Sequence, residues 1–305
     1  MAFDPDLAGA VDGHVHACPH LNARRLDVLE ALDQAQAAGM AGLGLMDNFA
    51  SSVGLAALAR RARPDATVDV FGGLVLEPSA GGLSPAAVRA SLSIGYGPGE
   101  GARFVSLPTH HTAHVARSEG RSQSHIEGCL AIPERGPLPD PLPEILDLIA
   151  GADVVLNTGH LSAAEAQRVV ETATARGVRR ILVPSNHYTP IDVSALTGLG
   201  AIVELSYFFV SPAGEVGLTH VDEERHTIAR VSAQTMADLA QAAAPGHLIV
   251  SSDCGVSLLP PPVEGLRCFL ALLAACEVPP AHLSAVVRET PAALFRIHQR
   301  KSLVE

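Results

Sequence analysis

Residues 11–39, VDGHVHACPHLNARRLDVLEALDQAQAAG, contain the repeating unit from which the fold can be predicted. The segment begins with a short apolar run suited to a strand and continues into a stretch whose apolar residues recur at the spacing of a helix face. Gly39 follows directly, and glycine is the usual residue at the end of a helix. We therefore predict a strand over 11–17 that is followed by a helix.

The same unit recurs along the whole chain. One of the later helical stretches, SAAEAQRVVETATARG, begins with Ser162 and Glu165 in the order of a capping box and stops at Gly177. Eight strand–helix units in one chain are typical of an α/β (β/α)8 TIM barrel. The predicted strands are 11–17, 43–49, 68–77, 102–109, 154–160, 181–187, 201–207 and 248–254.

A doubly wound open sheet is the alternative to the barrel. That fold binds nucleotides through a GxGxxG sequence after its first strand, or through a P-loop sequence, and neither occurs in this chain. We therefore predict one barrel domain over residues 1–305.

Two connections are longer than an ordinary loop of such a barrel. They follow the fourth strand, over 110–143, and the seventh strand, over 208–226, and we expect a lid, short hairpin or mobile flap in the first and a flap in the second. Histidines in predicted loops are expected to be solvated and not to bind metal. These are His20, His114, His125, His220 and His226.

The composition excludes several classes of partner. Hydrophobic residues make up 48% of the chain and charged residues 17%, which indicates a large buried core, but no apolar run reaches the roughly 18 to 20 residues of a membrane span. A net charge of −11 argues against nucleic acid. The first ten residues lack the basic region of a signal peptide, so we expect a cytoplasmic protein with a small-molecule substrate, and the apolar helices are compatible with a homodimer.

Polar side chains collect where the predicted strands end. His14 and His16 end the first strand, His160 the fifth, His187 the sixth and Asp253 the eighth. In a (β/α)8 barrel these ends meet at one face, and alternation along a strand directs both side chains of a His-x-His pair to the same side. Imidazoles and a carboxylate at one place suit Zn, Mn or Fe, so the pattern predicts a metal site.

These motifs resemble the amidohydrolase superfamily of metal-dependent hydrolases. The resemblance is carried by DxHxH at Asp12, His14 and His16, by TGH at 158–160, by NH at 186–187 and by SSD at 251–253. The segments GGLSPAAV and TGHLSAAEA are similar to a branch of small single-domain members. The resemblance implies that His14, His16 and His160 bind the metal, that Asp253 is the fourth ligand and general base, and that His187 binds a second metal or stabilises an oxyanion.

The fourth strand departs from the pattern of the superfamily. Binuclear members end this strand with a carboxylated lysine or a glutamate that bridges two metals, whereas ARFVSLPTHH has neither. We therefore expect one divalent metal per chain, with Zn ahead of Mn or Fe. Two metals stay open, because His110, His111 or Glu77 could replace the bridge. Glu77 and Glu204 lie near strand ends and either tune the site or cap helices.

The predicted activity is that of a metal-dependent hydrolase. A metal-activated water, with Asp253 to take its proton, would cleave a C–N bond (amide, cyclic imide or lactam) or a C–O bond (lactone or ester) of a small molecule. A mononuclear non-oxidative decarboxylase or hydratase and a non-catalytic binding barrel are alternatives, and phosphotriester hydrolysis is disfavoured by the missing bridge. An arginine near Asp253 would favour a carboxylate-bearing substrate. The predicted substrate-binding residues are Arg25, Thr109, His110, Asn157 and Asn186.

Overall fold

The computed structural model describes residues 5–216, 218–219 and 225–297, and it describes side chains over 5–216 and 227–297. Eight parallel strands form the central sheet in chain order, with a helix or helices after each one, so the predicted TIM barrel is confirmed. The barrel strands are β1 (Val11–Val15), β2 (Gly42–Leu45), β3 (Asp69–Val75), β4 (Phe104–Ser106), β5 (Val155–Asn157), β6 (Ile181–Pro184), β7 (Ile202–Ser206) and β10 (Leu248–Ser251).

The barrel closes where the first strand meets the end of the last one. Val15 forms a parallel bridge with Cys254, and the backbone N–H of Asp253 donates to the carbonyl oxygen of His14 over 2.9 Å. The N–H of His16 in turn donates to the carbonyl oxygen of Cys254. This closure brings two segments about 240 residues apart in the chain into contact at the carboxyl ends of their strands.

The helices surround the strands. They are α1 (Val28–Ala37), α2 (Val53–Ala62), α3 (Pro85–Ser93), α4 (Ala113–Ser118), α5 (Gln123–Gly128), α6 (Leu142–Ala152), α7 (Ala163–Ala175), α8 (Pro190–Gly198), α9 (Ala213–Val216), α10 (Ala233–Ala242), α11 (Pro262–Ala275), α12 (Pro280–Val287) and α13 (Glu289–Phe295). The capping box of Ser162 and Glu165 is present at the start of α7, as predicted. None of the helices in the described part of the chain is both long and apolar enough to cross a membrane.

Both predicted long connections exist. The one after β4 contains the short helices α4 and α5 and no hairpin among its described strands. The one after β7 contains a 3-10 turn over Tyr207–Val210, α9, and the antiparallel pair of β8 (Leu218–Thr219) and β9 (Arg225–His226). Residues 217 and 220–224 lie outside the described residues, as do the side chains of His220 and His226.

Apolar side chains fill the interior of the barrel upward from the end at which the strands begin, here called the lower end. Because they come from six of the eight strands and from α13, they can meet only inside the barrel: Val11, Phe71, Val75, Phe104, Val155, Leu182, Ile249, Leu294 and Phe295, with Met46 directly after β2. The ring of Phe295 stacks on that of Phe71 with centroids 4.7 Å apart. This lower-barrel cluster leaves the opposite end, where the strands stop, as the place for polar side chains.

Candidate metal centre

A bulge in β1 sets the direction of the His-x-His pair. Between two paired positions β1 advances three residues, from Asp12 to Val15, while β2 advances two, from Leu43 to Leu45. Val11 belongs to the lower-barrel cluster, and a Cβ on Gly13 would lie 2.6 Å from the Phe295 ring, so both positions face inward. The extra residue in β1 reverses the in–out alternation of its side chains. His14 and His16 therefore also face inward, above Val11 and Gly13.

His14, His16 and Asp253 form a compact cluster at the carboxyl ends of β1 and β10. Nε2 of His14 lies 3.4 Å from Oδ1 of Asp253, and Nε2 of His16 lies 3.2 Å from the same oxygen. One ligand atom from each residue falls within 4.8 Å of the others. Asp253 has a left-handed φ of 48°, a conformation that is uncommon outside glycine and is often found at functional sites.

Glu204 on β7 supports the cluster from below. Its side chain is buried, its Oε1 lies 3.2 Å from Nδ1 of His14, and it accepts a hydrogen bond from the Ser251 hydroxyl over 2.7 Å. A carboxylate on one imidazole nitrogen fixes the tautomer and directs the other nitrogen towards a metal. The sequence left two roles open for Glu204, the tuning of the site and the capping of a helix. The contact with His14 supports the first.

Asp12 does not join the cluster. Its Oδ1 accepts hydrogen bonds from the backbone N–H groups of His14 and Ser252, over 3.2 and 3.1 Å, so that it ties β1 to the end of β10. Burial raises the pKa of Asp12 to about 7, against the opposing effect of these hydrogen bonds. The first acid of the DxHxH motif is thus a brace across the closure of the barrel.

The ionisation of the cluster follows from its burial and its carboxylates. Burial alone would lower the pKa of His14, but Asp253 and Glu204 beside it raise the value to about 9. The pKa of His16 is held well below its ordinary value by burial and by the positive charges of Arg24 and the neighbouring histidines. Burial raises the pKa of Asp253, while His14, His160 and Arg24 oppose that change.

His160 lines the same cavity but lies outside the compact cluster. The TGH segment is turned sharply: Gly159 has a φ of 62°, and a Cβ there would lie 2.2 Å from the carbonyl oxygen of Pro108. The side chain of Asn157 stabilises the turn, since its Oδ1 accepts from the N–H of Gly159 over 2.9 Å. The strand ends at Asn157, before the predicted residue 160, because the chain turns here to present His160.

His187 is placed in an adjoining cavity of about 700 Å³, away from the cluster. Its ring packs edge-on against Phe209 with centroids 5.2 Å apart, and Phe209 also lies beside His160. Burial and the nearby His114 lower the pKa of His187. Strand β6 ends at Pro184, and the side chain of Asn186, which lines the same cavity, accepts from the N–H of Ser206 over 2.7 Å.

Thr109 and His110 line both cavities, whereas Asn157 and Arg25 line neither. Nε2 of His110 lies 3.1 Å from the side-chain nitrogen of Asn48. The exposed Arg25 donates to the carbonyl oxygen of Ser257, and its own side chain is not part of the cavity lining. Of the predicted substrate residues, the structure therefore brings Thr109 and His110 to the site, with Asn186 in the adjoining cavity.

Glu77 holds the loop after β4. Its Oε1 accepts from Thr109 and from the N–H of His110, and its Oε2 lies 2.6 Å from Nδ1 of His111. Burial alone would raise the pKa of Glu77, but the His111 and His110 contacts lower it to about 2. Both carboxylate oxygens of Glu77 therefore hold this loop in place. From the sequence, Glu77 was one of the residues that could have replaced the missing bridge between two metals.

The sequence did not predict the positions of two residues at the carboxyl ends of the strands. Arg24, not its neighbour Arg25, lines the cavity of about 430 Å³ that contains the cluster. The predicted solvation of His20 is wrong, since its side chain is fully buried, with Nε2 3.5 Å from Oδ1 of Asp47. Adjacent residues of a loop have no fixed periodicity, so nothing in the sequence indicates which of two arginines points inward.

The donor set fits a divalent metal ion. Zinc binds histidine nitrogen and carboxylate oxygen at about 2.0 to 2.2 Å, which separates neighbouring ligand atoms of a tetrahedral site by roughly 3.3 to 3.6 Å. The two Nε2–Oδ1 separations of 3.4 and 3.2 Å are close to this value. Among the residues with described side chains, this is the one group of three or more ligands that is close enough to share an ion.

Comparison with known proteins gives a family and a fold. Residues 9–204 match the model of DUF6282, a family of unknown function, and the search of curated proteins finds no match. Similar structures include an amidohydrolase from Pseudomonas aeruginosa, with 10% identity over 96% of this chain and 97% of that one and a TM-score of 0.58. A zinc-bound amidohydrolase from Burkholderia multivorans has 14% identity over 95% and 100% and a TM-score of 0.60.

A dihydroorotase is also similar, with 14% identity over 97% of this chain and 71% of the other and a TM-score of 0.55. At these identities the likeness establishes a shared fold. The sequence resemblance implies a (β/α)8 barrel, and these proteins share that fold with the chain.

Proposed function

Because the chain belongs to DUF6282, a family described only as one of unknown function, we propose an activity from the site itself: a metal-dependent hydrolase of small molecules. The proposed reaction is the cleavage of a C–N bond of an amide, cyclic imide or lactam, or of a C–O bond of a lactone or ester. One divalent ion per chain is proposed, with zinc first and manganese or iron as alternatives.

The observation that carries the proposal is the cluster of His14, His16 and Asp253 in a cavity large enough for a small substrate. The two Nε2 atoms face one carboxylate oxygen at 3.4 and 3.2 Å, and Glu204 holds the far nitrogen of His14. A site of perturbed histidines and acids at the carboxyl end of a barrel is where TIM-barrel enzymes carry out their chemistry. The bound zinc in a protein of the same fold supports the choice of metal.

The ion would supply a water that deprotonates near neutral pH and would polarise the carbonyl group of the substrate. Asp253 would accept the proton of that water and return it to the leaving group, because its carboxylate lies within the cluster and its pKa is raised by burial. His14 and His16 would hold the ion, with His160 as a further imidazole at the same cavity. His187 stays a predicted oxyanion or second-metal residue, in the adjoining cavity.

A non-oxidative decarboxylase or hydratase is the second candidate. Arg24 favours it, because this arginine faces the cluster and could bind a carboxylate-bearing substrate. The two reactions differ in their products: decarboxylation releases CO2 from the substrate, whereas hydrolysis of an amide or a lactone consumes water and releases an acid. Measurement of CO2 during turnover therefore separates the decarboxylase from the hydrolase.

The first test is metal content. We would purify the protein without chelator and measure bound metal per chain by elemental mass spectrometry, beside His14→Ala and Asp253→Asn. His247→Ala is the matched control, since His247 precedes β10 at the lower end of the barrel and contacts the carbonyl oxygen of Pro245. We expect about one equivalent in the wild type and in the control, and loss of most of it in both cluster variants.

Turnover of amides, lactones and carboxylated rings follows with the metal-loaded protein. Hydrolysis that is lost in Asp253→Asn and retained in His247→Ala supports the proposal. A protein that binds no zinc, manganese or iron even after reconstitution contradicts it, and leaves the non-catalytic binding barrel as the remaining function. Two equivalents of metal would contradict the single-ion part of the proposal only.

A further inference from the structure

Arg24 is a cation at the metal cavity with no described anionic partner. It lies in the loop between β1 and α1 and lines the 430 Å³ cavity together with His14, His16, His160 and Asp253. The loop holds it in place, since its backbone N–H donates to the Cys18 sulfur over 3.3 Å. Arg24 also acts electrostatically on the cluster: with burial it lowers the pKa of His16, and it opposes the rise that burial causes in the pKa of Asp253.

The guanidinium of Arg24 is poorly satisfied within the described part of the chain. One Nη atom lies 3.0 Å from Nε2 of His20, the Nε atom is buried without a hydrogen-bond partner, and no described carboxylate lies within ion-pair distance of it. Elsewhere in the molecule, arginines that are more exposed have such partners: Arg176 contacts Asp147 at 2.6 Å and Arg63 contacts Asp33 at 2.8 Å.

A cation that is partly withdrawn from water is unfavourable unless an anion or hydrogen-bond acceptors replace the lost solvent. Burial lowers the pKa of the Arg24 guanidinium, and the attraction of Asp253 and Asp47 only opposes that effect. The planar guanidinium offers parallel N–H donors that match the two oxygens of a carboxylate. Since the chain as a whole carries a net charge of −11, an acidic substrate would depend on such a local cation for its binding.

We propose that Arg24 is the specificity-determining residue of this site and binds a carboxylate group of the substrate. The inference rests on the proposed hydrolase function for the identity of the reacting centre. The substrate class is then a small carboxylic acid that also contains an amide, lactam or lactone group, with the carboxylate on Arg24 and the reacting carbonyl at His14, His16 and Asp253. Apolar walls for the carbon skeleton between them come from Leu21, Phe208, Phe209, Val256 and Leu258.

The test compares a charged and an uncharged probe of the same shape. Binding of N-acetylglycine and of N-acetylglycinamide would be measured by ligand-observed NMR on the purified full chain, and again after removal of metal with a chelator. The chelated sample excludes direct coordination of the carboxylate to a metal. The variants are Arg24→Met, Arg24→Lys and, as matched control, Arg25→Met, whose side chain lies next in sequence but outside the cavity.

We expect the wild type and Arg25→Met to bind the acid about tenfold to a hundredfold more tightly than the amide, with or without metal, as is usual for a hydrogen bond to a charged group. Arg24→Met is expected to lose this preference, and Arg24→Lys to keep part of it, which identifies the charge and excludes a loss of folding as the cause. Equal binding of acid and amide by the wild type, or a preference that survives in Arg24→Met, overturns the proposal.

The carboxylate site and the hydrolase activity can fail separately in these experiments. A protein that binds no metal but prefers the acid through Arg24 contradicts the hydrolase and supports the carboxylate site. A metal-loaded protein that hydrolyses uncharged amides equally well in the wild type and in Arg24→Met supports the hydrolase and contradicts the carboxylate site.

Discussion

The two ends of the barrel differ in how completely their polar groups are paired. At the lower end, Arg103 donates to the carbonyl oxygens of Phe295 and Arg296 and pairs with Asp69 at 3.0 Å. Arg180 donates to the carbonyl oxygens of Ala293 and Leu294. These arginines donate to the last carbonyl groups of α13, where the regular hydrogen bonds of the helix run out, and so fix Phe295 in the lower-barrel cluster.

The upper end leaves polar atoms unpaired. Among the described residues, Nε of Arg24 and Oε2 of Glu204 are buried without a hydrogen-bond partner, and two imidazoles and a carboxylate lie together in the cluster. Unsatisfied buried groups cost stability, so they are expected where a ligand completes them. The comparison indicates that the lower end stabilises the barrel, whereas the upper end carries the polar groups to which we assign the proposed metal and the proposed acidic substrate.

Phe295→Ala tests the lower end and should have the largest effect. Removal of this almost fully buried ring leaves a cavity beside Phe71 and Gly13, and we expect a loss of about 3 to 5 kcal/mol in the free energy of unfolding, measured by urea denaturation. The folded variant should still bind its metal, because the cluster lies at the other end. Tyr96→Ala, which removes an exposed ring, is the control and should cost far less. Loss of metal from folded Phe295→Ala would contradict the division between the two ends.

Glu77→Gln tests whether Glu77, although it lies at the upper end, stabilises the fold and not a bound ligand. The folded pKa of Glu77 is about 2 against an ordinary value of 4.5, so its carboxylate stabilises the fold above pH 4.5, and this contribution is lost as the pH falls towards 2. The difference between these two pKa values corresponds to about 3 kcal/mol in the free energy of unfolding. Urea denaturation at pH 7 should show a loss of this order in the variant, and the difference from wild type should shrink between pH 4.5 and 2.

The exposed Glu171→Gln serves as the control for that experiment, since it changes the same chemical group on the surface of α7. A constant difference between wild type and Glu77→Gln from pH 7 to pH 2 would mean that the carboxylate charge is not what stabilises the loop after β4.

Glu204→Gln tests the support of the cluster and should have the smallest effect on the free energy. The variant weakens the contact to Nδ1 of His14, and metal affinity should fall about tenfold to a hundredfold, measured by competition with a chromophoric chelator. The metal-free protein should lose little stability, because one oxygen of Glu204 is already buried without a partner. Glu264→Gln, on the surface of α11, should leave the affinity unchanged. A large loss of stability with unchanged metal affinity would assign Glu204 to the fold and not to the site.

The sequence predicted more of the fold than of the site. The eight strands and the capping box of α7 follow from local periodicity and were found, although every strand ends before its last predicted residue. At the site, His14, His16 and Asp253 were predicted and do come together, whereas His187 was predicted as a neighbour and lies in the adjoining cavity. A strand-end position indicates the face of the barrel but not which side chains meet, since the turn after each strand sets the direction.

Local patterns along the chain therefore specify the order of the elements and the residue types at their carboxyl ends, because both depend on spacings of a few residues. Long-range contacts specify the rest. The bulge that turns His14 and His16 inward depends on the register with β2, the contact of His14 with Glu204 joins residues 190 positions apart, and the choice of Arg24 over Arg25 depends on how the loop packs on the end of β10. Such contacts form only when the barrel closes, so no local pattern records them.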